Sequence, residues 1–93
     1  MNIFIKLTIA RGYNKNQPIY LNVNKISKFY SETVEENNEK KVYSCVDYNE
    51  DAYTYVKESL NEIQSAIEEA RNNAFADLSS EIAASLWNKG IGL

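Results

Sequence analysis

The sequence predicts an α+β fold: an antiparallel sheet of four to five strands followed by a long C-terminal helix. Three observations carry this. Apolar and polar residues alternate through most of residues 1–57, apolar residues from Leu60 onward recur at steps of three and four, and the links between strand-like segments are short and polar. Parallel neighbours would need crossovers of about a dozen residues, so the short links favour an antiparallel meander. The 93 residues suit a single domain, with sheet over 1–57 and helix over 59–89.

Residues 2–10 set Ile3, Ile5, Leu7 and Ile9 against Phe4, Lys6 and Thr8, the pattern of a strand with one buried face. The basic, turn-forming stretch 11–17 leads to Pro18, which lacks the amide that a strand interior needs and so marks a strand start. Ile19, Leu21 and Val23 then oppose Tyr20, Asn22 and Asn24. A third strand is read over 26–34, where adjacent Phe29 and Tyr30 must face opposite ways. Residues 35–40 read as a polar hairpin loop, 41–48 as a fourth strand aligning Val42 with Val46, 49–51 as a turn, and 52–57 as a fifth strand.

Ser59 and Glu62 have the spacing of a capping box, in which hydroxyl and carboxylate satisfy each other's backbone amides at a helix start. Leu60, Ile63, Ile67, Ala70, Ala74, Leu78, Ile82 and Leu86 then form one helical stripe, and Gly90 with Ile91 resembles a C-terminal stop. As one piece this helix would be about 45 Å long. Strands of this length cover only about 17–30 Å. Either the helix breaks near Asn72 and Asn73, or its second half packs on another protomer through Phe75, Leu78, Ile82, Leu86 and Trp87. Association is preferred, because a chain this short has little core to spare, and the expected form is a homo-oligomer.

A hydrophobic fraction of 44% with 25% charged residues is ordinary for a globular chain. No apolar run approaches the roughly 20 residues that span a bilayer, and the start of the chain lacks the features of a secretion signal, so the expected location is cytoplasmic. Cys45 is the only cysteine and histidine is absent. This removes intrachain disulfides, zinc fingers, histidine-based metal sites and nucleophile-histidine catalysis. Adjacent acids such as Glu50-Asp51 and Glu68-Glu69 diverge on regular elements, so no catalytic pair, metal site or cofactor is expected, and the chain reads as non-enzymatic.

Charge is distributed unevenly within a net −3. Residues before Glu32 include Lys6, Arg11, Lys15, Lys25 and Lys28 and no acid, whereas all thirteen acids lie from Glu32 onward. Such a split can orient assembly or steer an anionic ligand, or can simply solvate a loop and a helix face. Projecting the strands onto two faces puts Ile3, Ile5, Leu7, Ile9, Ile19, Leu21, Val23, Val42 and Val46 under the helix. The other face would then show Phe4, Tyr20, Phe29, Tyr43, Tyr53 and Tyr55. Tyrosine joins a rigid apolar surface to a polar tip, which suits a protein interface or stacking on a nucleotide, although aromatics also pair across strands for sheet stability alone. With Arg11, Lys25 and Lys28 nearby in sequence, Tyr20, Phe29, Tyr43, Tyr53 and Tyr55 form the candidate binding set. A pI near 4.9 argues against nucleic acid.

Lys6-Leu7-Thr8, Ile19-Tyr20-Leu21-Asn22 with Ile26, and the run from Tyr55 through Lys57-Glu58-Ser59-Leu60 to Ile63 resemble the small FlbD-like proteins. Those are found beside flagellar genes and, as similar reading frames, in bacteriophages. The resemblance covers residues 3–67. The hairpin over 35–41 is longer and more acidic than in that family and residues 68–93 extend beyond it, which points to a phage or prophage relative. The surface residues and this resemblance together give the expectation of a small non-enzymatic, phage- or prophage-related protein that binds a protein partner such as a host factor. Sequestration of a nucleotide-like anion in a tyrosine and basic pocket is the second expectation, and nucleic-acid binding the third.

Overall fold

A computed structural model of the chain describes residues 3–88, with side chains described as far as residue 74. The element order is β1 (Phe4–Thr8), β2 (Pro18–Asn22), a 3-10 turn (Val23–Lys25), β3 (Ile26–Glu36), β4 (Glu39–Tyr48), β5 (Ala52–Val56) and α1 (Leu60–Asn88). The α+β class and all five strands are as expected. The single sheet of four to five strands is not: β1 and β2 form one antiparallel sheet, and β3, β4 and β5 form another.

The two sheets meet at one bridge, Ile9 with Val56. The Ala10 amide donates to the Tyr55 carbonyl at 2.8 Å and the Lys57 amide to the Thr8 carbonyl at 2.9 Å. Pairing stops there because the chain must leave β5 to enter α1. A side chain takes over from the missing strand: Glu58 accepts the Thr8 amide at 2.8 Å and the Thr8 hydroxyl at 3.0 Å. At the next turn the capping box forms, with the Glu62 amide donating to Ser59 Oγ at 3.1 Å and the Ser59 amide to Glu62 Oε1 at 3.3 Å.

The β3–β4 hairpin is tighter than a loop over 35–40. Asn37 and Asn38 have φ of 53° and 64°, and the strands run up to Glu36 paired with Glu39. Asparagine tolerates this left-handed backbone, and a two-residue turn of that hand matches the twist of the flanking strands. Between Ile26 and Lys28 the β3–β4 register shifts by a bulge.

The helix is continuous from Leu60 to Asn88, without a break at Asn72 and Asn73. Neither residue removes a helical hydrogen bond as proline would, and asparagine costs only about 0.7 kcal/mol against alanine. At 1.5 Å per residue α1 is about 43 Å long. Its first three turns cover the core: Ile63 and Ile67 are buried beside Ile5, Leu7, Leu21, Val23, Val46 and Val56, with Leu60, Ala66 and Ala70 packed against them. Arg71 still borders the groove beside β3, and Asn72 and Asn73 after it are exposed as the helix leaves the sheets. The side chains of the proposed oligomer contacts, Phe75, Leu78, Ile82, Leu86 and Trp87, lie outside the described residues, as do Gly90 and Ile91.

Two residues change faces or environments relative to expectation. Val42 is 68% exposed, because β5 pairs only with Ser44 to Tyr48 and the hairpin carries Val42 past the covered part of the sheet. Phe29 pairs with Val46 and packs on the core instead of joining the aromatic face. Ile63→Ala should therefore destabilise the protein by about 2–5 kcal/mol, because it leaves a cavity at a fully buried position. Val42→Ala should stay within about 0.5 kcal/mol of the parent. Urea unfolding of the two variants checks both, and equal costs would contradict this description of the core.

Candidate functional site

The face of the β3–β4–β5 sheet turned away from α1 is built by strand alternation. With Asn37 and Asn38 as the turn, Glu32 lies opposite Tyr43, Tyr30 opposite Cys45 and Lys28 opposite Asp47; on the other side of β4, Tyr55 lies opposite Cys45 and Tyr53 opposite Asp47. Four tyrosines thus share one surface with Glu32, Glu36 and Asp47. Each of three phenols is tied to an acid. Tyr55 donates to Glu32 Oε2 at 2.6 Å, Tyr30 to Asp47 Oδ1 at 3.2 Å, and Tyr43 to Glu36.

The rings also contact one another. Tyr43 and Tyr55 have centroids 5.7 Å apart at 58°, and Tyr53 meets Tyr55 edge-on at 5.8 Å and 84°. Arg11 reaches over this cluster from the residue after Ala10, placing its guanidinium carbon 5.3 Å from the Tyr55 centroid and 5.7 Å from that of Tyr43. Lys28 lies 5.3 Å from the Tyr30 centroid and 3.7 Å from Asp47 Oδ2. Beneath the rings Cys45 is fully buried, with its thiol 3.8 Å from Asp47 Oδ1.

These contacts shift the titration of the face. The hydrogen bond to Glu32, with burial, pushes Tyr55 up to about 12. Tyr43 is raised by its bond to Glu36, and that bond, assisted by the charges of Lys41, Arg11 and Lys15, outweighs burial and lowers Glu36. Contact with Cys45 and burial raise Tyr30, while burial pushes the Cys45 thiol up and leaves it poorly nucleophilic. Among the described residues no three His, Cys, Asp or Glu side chains gather to hold a metal ion.

Of the candidate binding residues, the structure brings together Arg11, Tyr43, Tyr53 and Tyr55, with Lys28 at the edge of the same face. Tyr20 lies elsewhere, paired with Lys6 on the β1–β2 sheet and 62% exposed. Phe29 is on the core side. Lys25 ends the 3-10 turn, its carbonyl accepting the Asn49 amide, and lines a depression with Asn24, Asn49 and Glu50. Arg11 lines another with Glu36, Tyr53 and Tyr55, and Lys28 lines a third, the groove between β3 and α1 with Phe29 and Ile67. Tyr30, Glu32, Glu36 and Asp47 were not among the expected residues. The two-residue turn at Asn37–Asn38, applied to the alternation Lys28, Tyr30, Glu32, would have revealed them.

Comparison with known proteins finds no matching family model, curated protein or solved structure. Among the described residues no helix is long and apolar enough to cross a membrane.

The raised phenols give a pH dependence with a definite sign. An unfolded tyrosine ionises near pH 10. Tyr55 in the folded chain holds its proton to about pH 12, so its contribution to stability is complete below pH 10 and is lost as pH rises between these values. Stability measured by urea unfolding should fall from pH 9.5 to 11.5 by a smaller amount in Tyr55→Phe than in the parent. An identical fall in both would show that Tyr55 is not held by Glu32.

Proposed function

We propose that this chain is a non-enzymatic binding protein that docks a protein partner through the tyrosine face of the β3–β4–β5 sheet. Following the FlbD-like resemblance, it is a phage or prophage protein and the partner is a host factor. The observation that carries this is the ordered cluster of Tyr43, Tyr53, Tyr55 and Arg11, with Tyr53 62% exposed. Tyrosine and arginine are the residue types that concentrate binding energy at interfaces. Glu32 and Glu36 already hold two of the phenols, so little side-chain entropy remains to be lost on docking. The nucleotide reading has less support: Arg11, Lys25 and Lys28 line three separate depressions, and Glu32, Glu36 and Asp47 add negative charge among the rings.

Self-association through the second half of α1 belongs to the same reading. The helix continues past Ala70 beyond the sheets, and Phe75, Leu78, Ile82 and Leu86 follow one another there at helical spacing in the sequence.

A photo-crosslinking residue in place of Tyr53, in cells that carry the gene, should yield a discrete adduct of defined mass. The same residue in place of Glu69, on the exposed side of α1, should not. Matching patterns at the two positions would sink the tyrosine-face interface. Light scattering should find the full chain oligomeric and a chain ending at Asn72 monomeric; a monomeric full chain would remove the assembly role of α1.

A further inference from the structure

The tyrosine cluster already holds a cation. The Arg11 guanidinium sits over two rings, at 5.3 Å and 5.7 Å, in an open depression of about 460 Å³ bordered by Glu36, Tyr53 and Tyr55. A ring face is electron-rich and attracts a guanidinium, most strongly where water is partly excluded. Tyr53 borders the depression, edge-on to Tyr55, and the carboxylates of Glu32 and Glu36 anchor the Tyr55 and Tyr43 phenols. Arg11 is half-buried and is held by the two rings rather than by an ion pair. Among the described residues no carboxylate lies within ion-pairing distance of it, and it belongs to the loop 11–17, in which residues 12–17 are exposed.

Resting on the partner-docking reading above, we propose that this slot receives an arginine side chain from the partner, and that Arg11 occupies it in the free chain and is displaced on docking. The slot joins a planar aromatic surface to negative charge, which is the environment that suits a guanidinium over a neutral or anionic group. The negative charge is local to the slot, on Glu32 and Glu36, whose carboxylates hold the Tyr55 and Tyr43 phenols. Arg11 acts as a competitor built into the chain. It lowers the apparent affinity for an incoming arginine by the fraction of time that it fills the slot.

The test is a titration of the full chain with N-acetyl-arginine methylamide, followed by the ring-proton resonances of Tyr43 and Tyr55, with the uncharged citrulline analogue as control. Arg11→Ala should bind the arginine probe roughly tenfold more tightly than the parent, as expected for removing a cation–π competitor worth about 1–2 kcal/mol. The citrulline analogue should leave the rings unmoved, and Glu36→Gln added to Arg11→Ala should weaken binding again. Arg11→Gln keeps the loop's polar character and carries the same expectation if the alanine variant does not fold. Equal affinity with and without Arg11, equal response to citrulline, or shifts at residues away from Tyr43 and Tyr55 would each overturn the slot. A crosslinked partner at Tyr53 together with no arginine binding would remove the slot and leave the docking surface; arginine binding with no adduct at Tyr53 would do the reverse.

Discussion

The joint between Ile9 and Val56 is the constraint on which the remainder of the molecule depends. A two-stranded sheet alone is marginal in water, and a three-stranded one needs something against its apolar face. Here the bridge, the hydrogen bonds on either side of it and the Glu58 carboxylate on Thr8 lock the small sheet to the larger one, and α1 begins three residues after Glu58's neighbour Lys57. The joint therefore aims the helix across both sheets, so that Ile63 and Ile67 close one core over Leu7, Val46 and Val56. It also sets the starting point of the loop that follows β1. Because the Ala10 amide is bonded to the Tyr55 carbonyl, the next residue, Arg11, emerges directly above the rings.

The opposite face of the larger sheet has no helix over it, and its tyrosines serve as their own cover. They bury Cys45 completely while keeping their hydroxyls on carboxylates. Interactions of this kind on a surface contribute little stability singly, about 0.5–1.5 kcal/mol for an aromatic pair and less for an exposed ion pair such as Lys28 with Asp47. Their larger effect is on order. A ring fixed at both its edge and its tip presents a defined surface, which a freely rotating tyrosine does not.

Much of the fold was legible in the residues. Alternation marks the first two strands, short polar links mark the other three, Pro18 marks the start of β2, and Ser59 with Glu62 marks the start of α1, because these signals are local and the chemistry behind each is complete within a few residues. What the sequence could not show was long-range: the two sheets join at one bridge at Val56, beside which Glu58 reaches a residue 50 positions earlier. The site was half legible for a related reason. Tyr43, Tyr53 and Tyr55 stood out by composition, but Phe29 was assigned to their face in place of Tyr30, since the bulge at Ile26 and Lys28 and the tightness of the Asn37–Asn38 turn decide which of two adjacent aromatics faces out. Glu32, Glu36 and Asp47 carry no local signal of a role, and only the register places a phenol beside each.

The separation in sequence across the joint has a consequence for how the molecule assembles. The β3–β4–β5 meander closes through turns of only two and three residues, so its chain-entropy cost is small and it can pair early. Thr8 and Glu58, 50 residues apart, must close a far larger loop, and that closure gains its reward only once the meander and the first turns of α1 exist to receive it. Local pairing thus favours the tyrosine strands, and docking of the N-terminal segment is the entropically costlier step. Arg11 comes to the rings with that segment, so its contact with Tyr43 and Tyr55 depends on the closure across the joint.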